Sequence, residues 1–308
     1  DRKRVSKKRT TYSHDLMTTE ALNFIKKNKG KPFLLHVHWT IPHANNEGGR
    51  ATGDGMEVPD YGIYNSKKWP SVKKGAAAMI TRMDKDVGKI INLLEELKIE
   101  EKTLVFFTSD NGPETLNRYG NAWRSHGSPG SLRGMKLHTH EAGIRVPGIM
   151  RWPLQIKSGQ VSREPVSSLD LMPTFANLAA GEIPIEIELD GTDIVNAFGK
   201  DEVIRKKPMF WCYYSALNRS KIALRQGDWK LLASLKSIDG KYLKIKSINN
   251  KNINVLKKVN LVDFELYNIA KDRGELINLA SKNTRQLEGL SKKMESIFNE
   301  VLEDSTIR

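Results

Sequence analysis

Apolar residues recur three or four positions apart in several segments of the chain, which is the spacing of a helix with one buried face. This pattern predicts helices over 14–27, 79–97 and 284–302, and a shorter one over 170–180 with Pro173 in its first turn. The second segment carries the strongest signal, with apolar residues at Met79, Ile80, Met83, Val87, Ile90, Ile91, Leu94 and Leu97.

Short continuous apolar runs lie between these segments and predict strands. We expect buried strands at 33–39 and 103–108, and a further strand at 144–152 that is broken by Pro147. Because strands alternate with helices over these distances, the order predicts a mainly parallel sheet covered by helices. Ligands of such sheets bind beyond the carboxyl ends of the strands.

The pattern changes near 199–208. Short antiparallel strands are predicted within 209–235 and at 242–248, followed by the amphipathic closing helix. We therefore expect two domains, an α/β domain over 1–203 and a smaller α+β subdomain over 204–308 that holds an antiparallel sheet and a helix.

The chain of 308 residues carries a formal net charge of +14, which raises the question of a polyanionic partner. The densest basic run after the N-terminal cluster is 236–258, where lysines alternate with Ile, Leu and Asn and lack stacked aromatics. This texture argues against nucleic acid and leaves a solvated hairpin or a polyanion-attracting surface. No apolar run is long enough to span a membrane. The first residue is Asp1 and no apolar signal core follows it, so we expect a longer polypeptide.

Candidate chemistry gathers where predicted strands end. Asp110 and Asn111 follow the strand at 103–108 and offer the oxygen donors that a hard cation such as Ca²⁺ or Mg²⁺ prefers, although the same residues also make an ordinary turn. His43 follows another strand and can donate a proton near neutral pH. Lys136 lies in a loop that also holds His138 and His140, whose spacing does not indicate a two-histidine metal site.

Nine short motifs occur in an order that resembles the arylsulfatase family of the alkaline-phosphatase-like superfamily. They are Lys31-Pro32-Phe33-Leu34-Leu35, Ile41-Pro42-His43, Thr108-Ser109-Asp110-Asn111-Gly112, Leu132-Arg133-Gly134-Met135-Lys136, Glu141-Ala142-Gly143-Ile144-Arg145-Val146-Pro147, Arg151-Trp152-Pro153, Leu169-Asp170-Leu171-Met172-Pro173-Thr174, Gly227-Asp228-Trp229-Lys230-Leu231 and Glu265-Leu266-Tyr267-Asn268. The resemblance covers 12–301 and implies an alkaline-phosphatase-like fold, incomplete at its N-terminus.

Carried over to this sequence, the resemblance implies that Asp110 and Asn111 bind a divalent cation, usually Ca²⁺, and that Lys136 and His43 contact the sulfate. It implies metal-assisted hydrolysis of sulfate monoesters, with a sulfated small molecule or carbohydrate as substrate. A periplasmic, secreted or lysosomal location is expected from the family.

The family's formylglycine nucleophile arises from a Cys or Ser in a signature that this sequence lacks. Cys212, the single cysteine, has neither the small third residue nor the Arg of that signature, and Ser215 has Leu217 in the third position. We therefore expect the nucleophile in a missing N-terminal part and no turnover by this chain alone. A phosphate or phosphonate ester hydrolase and a non-catalytic sulfated-glycan binder remain the alternatives.

Overall fold

A computed structural model of the chain describes residues 10–114, 126–184, 186–199, 202–243, 245 and 252–304. The chain forms two compact units. The first takes its described residues from 10–106, 126–128 and 150–154, and the second from 107–114, 129–149 and 155–304. The second unit thus combines much of the predicted α/β region with the predicted C-terminal subdomain, and the boundary between 203 and 204 stays a prediction.

Seven α-helices and six strands lie in the described residues. The helices are α1 Ser13–Asn28, α2 Asn46–Thr52, α3 Ser71–Glu96, α4 Glu141–Ile144, α5 Leu171–Leu178, α6 Ile253–Leu256 and α7 Thr284–Asp304. The strands are β1 Val105–Thr108, β2 Gly148–Arg151, β3 Met209–Cys212, β4 Ile222–Gln226, β5 Trp229–Lys236 and β6 Asn260–Asn268. None of the helices in this part of the chain is long and apolar enough to cross a membrane.

Helices α1 and α3 form the core of the first unit. Ile25 of α1 packs against Leu93 and Leu94 of α3, and all three side chains are buried. Helix α3 begins eight residues before the predicted start at 79 because its first turns carry small residues that the apolar pattern does not register. Gly75 is one of them, and a Cβ there would lie 2.0 Å from the carbonyl oxygen of Met56.

The prediction of a strand at 33–39 is wrong. This segment is not a strand, and no backbone hydrogen bond outside the regular elements joins it to another described segment. Phe33 and Leu35 pack into the first unit's core, whereas Leu34 is 63% exposed. The apolar residues of this run, which His36 and His38 interrupt, predicted a buried strand, but only alternate side chains are partly buried.

The strand predicted at 144–152 is the second correction. Its first residue, Ile144, ends helix α4, and the strand proper is limited to β2, which pairs with β1 in a two-stranded sheet. Glu141, Ala142 and Gly143 of α4 are all buried. The predicted helix at 170–180 is confirmed as α5, preceded by a 3₁₀ turn at Ser168–Asp170.

An antiparallel sheet in the order β3-β4-β5-β6 dominates the second unit. One face of the sheet packs against Leu290, Met294 and Phe298 of α7, which confirms the predicted antiparallel sheet and closing helix. The strand predicted at 242–248 is reduced to a bridge between Lys236 and Tyr242, and 244 and 246–248 lie outside the described residues. The fourth strand is β6, which the sequence pattern did not predict.

Candidate functional site

The residues predicted to bind a metal ion form a tight polar turn directly after β1. The backbone N–H of Asn111 donates to Oδ1 of Asp110 at 2.9 Å, and the Asn111 side-chain amide donates to the carbonyl oxygen of Gly112 at 3.0 Å. Asp110 is exposed and Asn111 is partly buried. The side-chain nitrogen of Asn111 is therefore used within the turn, which leaves its carbonyl oxygen as the ligand atom it can offer.

The loop that carries Lys136 lies against this turn. The backbone N–H of Lys136 donates to the carbonyl oxygen of Pro113 at 2.7 Å, and the N–H of Gly112 donates to the carbonyl oxygen of Gly143 at 3.1 Å. Two backbone hydrogen bonds thus join the turn to the loop. Together these two segments carry three of the four predicted site residues.

Glycine allows close backbone packing at two points of this site. A Cβ atom on Gly112 would lie 1.6 Å from the carbonyl oxygen of Ala142, and one on Gly143 would lie 2.1 Å from that of His138. Both distances are far below van der Waals contact, so a side chain at Gly112 would push the turn away from the loop, and one at Gly143 would distort the loop itself.

The two loop histidines have different surroundings. Burial, together with the positive charges of His140, Arg133 and Lys221, lowers the pKa of His138. His140 is buried, and its Nδ1 lies 3.6 Å from Oε2 of Glu275. The rings are 5.8 Å apart at an angle of 62°.

A buried charge cluster anchors the same loop to the antiparallel sheet, and the sequence pattern did not predict it. Nζ of Lys230 lies 3.0 Å from Oε1 of Glu141 and 2.9 Å from Oε1 of Glu275. The backbone N–H of Glu141 donates to Oε2 of Glu275 at 2.8 Å. Arg145 and Arg225 approach Oε2 of Glu141 at 3.2 and 3.6 Å. The Gly-Asp-Trp-Lys and Glu-Ala-Gly motifs were the available signal, but nothing in the sequence indicates that they meet.

The surroundings of Glu275 favour its charged form. Burial alone would raise the pKa of Glu275, but the nearby His140, the charge of Lys230 and the N–H of Glu141 outweigh burial and lower that pKa. Burial lowers the pKa of Arg225, although the Glu141 carboxylate opposes this effect. Glu275 is therefore a carboxylate at neutral pH, as a partner of a buried ammonium must be.

Further hydrogen bonds hold the Lys136 loop against the rest of the second unit. The N–H of Leu217 donates to the carbonyl oxygen of Leu137 at 2.8 Å, and the N–H of Thr139 donates to Oδ1 of Asn218 at 3.0 Å. At the start of the loop, Nη1 of Arg133 donates to the Tyr267 hydroxyl at 2.9 Å.

His43 lies in the first unit, where it follows the cis peptide bond between Ile41 and Pro42. Its Nδ1 is 2.7 Å from the carbonyl oxygen of Ala44, a distance that fits a donated N–H. This contact favours the tautomer with the proton on Nδ1. The convergence of His43 with the other three residues stays a prediction.

The donors at the turn fit a hard cation only in part. Asp110 and Asn111 supply a carboxylate and an amide oxygen, which are Ca²⁺ or Mg²⁺ ligands, but such ions take six or more oxygens. Among the described residues, no group of three or more His, Cys, Asp or Glu side chains is arranged to hold a metal ion.

Cys212 has the environment of a packed residue rather than a nucleophile. It ends β3 and packs against the core of the second unit, and burial raises the pKa of its thiol to about 11. At neutral pH the thiol is almost entirely protonated, whereas the thiolate is the reactive form.

Comparison with known proteins gives the geometry a context. The sulfatase family profile matches residues 1–182, more than half of the chain. The chain belongs to the sulfatase family. The profile of the N-sulphoglucosamine sulphohydrolase C-terminal region matches residues 135–304, which include the loop after Gly134, the antiparallel sheet and α7.

Two curated sulfatases and one solved structure illustrate the similarity. Human steryl-sulfatase is 35% identical over 184 residues, which are 58% of this chain and 28% of that protein. Mouse N-acetylgalactosamine-6-sulfatase is 32% identical over 213 residues, which are 68% of this chain and 37% of that protein. The crystal structure of Ps i-CgsB in complex with k-i-k-neocarrahexaose matches with 28% identity and a TM-score of 0.70, covering 94% of this chain and 56% of that one.

These matches confirm the predicted fold class, an alkaline-phosphatase-like α/β fold followed by an antiparallel sheet and a helix. The sulfatase chain spans 28% to 37% of the two curated relatives and 56% of the solved structure. Membership of the family generally implies a bound metal ion and a formylglycine nucleophile.

Proposed function

We propose that this chain forms part of an enzyme that hydrolyses sulfate monoesters with the help of a divalent cation, Ca²⁺ or Mg²⁺. The contact between the Lys136 loop and the Asp110–Asn111 turn carries the proposal. It brings a cationic side chain and two hard oxygen donors onto adjoining segments of one compact unit. A sulfate ester needs such a pairing because its equatorial oxygens carry negative charge. Further negative charge develops on the leaving oxygen during cleavage, and nearby cations stabilise both.

In this proposal each residue has one task. Lys136 meets the negative charge of the sulfate and of the bridging oxygen, and His43 contacts the sulfate. Asp110 and Asn111 hold part of the cation's coordination shell, and the bound cation would polarise the sulfate oxygens. We expect the formylglycine nucleophile in a polypeptide segment N-terminal to Asp1.

The substrate class that we favour is a sulfated carbohydrate. Two observations support it: one similar protein is named for a sulfated amino sugar, and the Ps i-CgsB structure holds a bound k-i-k-neocarrahexaose. Human steryl-sulfatase is named for a different class of substrate, so the choice needs a direct test. Inhibition of a complete enzyme by sulfated oligosaccharide and by steroid sulfate, each against its desulfated counterpart, separates the two classes.

The metal half of the proposal is tested by calcium titration of the full chain in a calorimeter. We expect binding weaker than about 1 μM, because two donors supply only part of a hard-cation shell. Asp110→Ala should abolish the heat, whereas Asp228→Ala, which removes an exposed carboxylate at the β4–β5 turn, should not. Equal heats from both variants would contradict the assignment of Asp110.

The catalytic half is tested with an aryl sulfate whose hydrolysis releases a coloured phenol. The chain alone should show no turnover above background, and the same chain joined to a sulfatase N-terminal half should be active. In that complete enzyme, Lys136→Ala should lower the rate by about 10² to 10³-fold, the usual cost of one lost charge stabiliser, whereas Lys271→Ala should not. Turnover by the chain alone that Cys212→Ala abolishes would overturn the assignment, and faster cleavage of a phosphonate ester would favour the alternative hydrolase.

A further inference from the structure

Lys230 is buried in a place where an apolar residue would be expected. It is the second residue of β5, its side chain is 0% exposed, and the next five residues of the strand are buried as well. Removing an ammonium group from water is costly, and apolar residues of similar size often stabilise a fold equally well or better. Simple packing of the sheet therefore does not explain a lysine at this position.

The partners of Lys230 lie next to the candidate site. Glu141, which receives one of its ion pairs, begins a run of three residues that connects three parts of the second unit. The Glu141 side chain reaches the sheet, the N–H of Ala142 donates to Arg133 at the start of the Lys136 loop, and the carbonyl of Gly143 accepts from Gly112 of the metal turn. Because Glu141 to Ile144 form a single helical turn, α4, we expect a shift of Glu141 to displace both contacts.

Glu275 adds a second restraint on the same point. Its carboxylate contacts the ammonium of Lys230 with one oxygen and accepts the backbone N–H of Glu141 with the other. Its own backbone lies in the left-handed region, with φ at 51°, which is unfavourable for a residue with a side chain. A residue keeps such a conformation only when its contacts determine its position.

We propose that Lys230 is a positioning residue that, through Glu141 and Glu275, sets the distance between Lys136 and the Asp110–Asn111 turn. The proposal rests on the proposed function, because it concerns the same sulfate site. Lys230 acts through the backbone of residues 141–143 and touches neither substrate nor metal ion. Catalysis depends on such placement, since a displacement of about 1 Å can cost about a hundredfold in rate.

The test compares Lys230→Met with Lys271→Met in the full chain. Peptide-resolved hydrogen exchange reports on the amides of Gly112 and Lys136, which hold the turn and the loop together, and on the amides of α7 as a reference. We expect Lys230→Met to speed exchange at Gly112 and Lys136 at least tenfold more than in α7, whose exchange reports the loss of stability of the whole unit. The affinity for inorganic sulfate, measured with chloride at matched ionic strength, should fall about tenfold, and Lys271→Met should leave every value unchanged.

A second variant covers the case in which Lys230→Met does not fold. Lys230→Met combined with Glu275→Gln removes one positive and one negative charge, so it keeps the charge balance of the cluster, and the same local loosening is expected. Equal loss of protection in α7 and at the site would show that the cluster stabilises the whole unit, and no change at the site would show that it positions nothing. Either result overturns the proposal.

The proposed function fails in a different way. If Lys136→Ala leaves sulfate affinity unchanged, then Lys136 is not a sulfate ligand, whatever the exchange pattern of the Lys230 variants. Local loosening without any effect of Lys136→Ala would therefore contradict the sulfate site, and an effect of Lys136→Ala without local loosening would contradict only the role of Lys230.

Discussion

Each compact unit buries a polar cluster, and the two clusters differ in their charges and in what they join. In the first unit, Nε2 of His14 lies 2.8 Å from Oδ2 of Asp86, and the Thr18 hydroxyl donates to the same oxygen at 2.9 Å. This cluster fastens α1 to α3 and includes an imidazole, which titrates close to neutral pH. In the second unit, the cluster consists of Lys230 and the carboxylates of Glu141 and Glu275, and it joins the sheet to a loop.

The difference shows that burial of polar groups does not by itself indicate function. Of the side chains that contact Asp86, His14 and Thr18 belong to helix α1 and Lys89 belongs to α3 itself, so the His14 cluster strengthens the packing of two helices. The Lys230 cluster instead fixes the backbone at Glu141. The next two residues, Ala142 and Gly143, form backbone hydrogen bonds with the candidate site. The useful question about a buried polar group is therefore which backbone its partners fix.

The largest effect on stability is expected when Lys230 is removed. Lys230→Met leaves the buried carboxylates of Glu141 and Glu275 without their shared cation, and breaking a buried ion pair costs about 3 to 5 kcal/mol. Calorimetric unfolding measures the loss, and Lys230→Met with Glu275→Gln should recover part of it. A destabilisation below about 1 kcal/mol, typical of an exposed pair, would remove the contrast between the clusters.

A smaller loss is expected from the first cluster. Asp86→Ala leaves the His14 ring N–H and the Thr18 hydroxyl without their acceptor, and each unsatisfied buried group costs about 1 to 3 kcal/mol. We expect a total near 2 kcal/mol because Thr18 can turn to another acceptor, and Asp84→Ala, two residues away and exposed, should cost little. Loss of protection in the Lys136 loop of Asp86→Ala would mean that the two clusters are not independent.

The smallest expected effect is a pH dependence of the stability that comes from His14 in the first cluster. Burial lowers the pKa of His14 below its usual 6.5, although the Asp86 carboxylate opposes this effect. Between the folded pKa and 6.5 the unfolded chain binds more protons, so stability should fall as pH drops through 6.5 and level off below the folded pKa. His138 has a lowered pKa and contributes with the same sign in the second unit, so the measurement is the difference between the parent chain and His14→Gln.

His14→Gln keeps a side-chain N–H for Asp86 but does not titrate. Its melting temperature should therefore fall less than that of the parent between pH 7.5 and 5.5. If both chains respond equally, His14 is not a source of the pH dependence.

Periodic apolar residues predicted the long helices well, since their burial depends on local spacing. The prediction failed where burial depends on distant neighbours. The apolar run at Phe33 to Trp39 gave a strand that the structure does not contain, and the alternating residues of β6 were not recognised beside the lysine-rich segment. The spacing of apolar residues in a helix can be recognised from its own sequence. A strand needs a neighbouring strand, which the local sequence does not identify.

Similar reasoning applies to the site. Asp110, Asn111 and Lys136 were selected because polar residues follow a strand and because the motifs resemble a family, and the structure joins the two segments through backbone hydrogen bonds. The Lys230 cluster was missed because its members lie 89 and 45 positions apart, from 141 to 230 and from 230 to 275. Buried charges far apart in sequence can be recognised as partners only after the fold is known.

The glycines between the turn and the loop have a consequence for reading mutational scans. Gly112 and Gly143 perform no chemistry, yet a side chain at Gly112 would clash with Ala142 of the loop, and one at Gly143 would clash with His138 inside the loop. A screen scored by growth or product formation would rank them beside Asp110 and Lys136, and a screen scored by protein abundance would tend to separate the two groups. Positions that are sensitive to substitution in this loop therefore include residues needed for close backbone packing as well as residues that take part in the reaction.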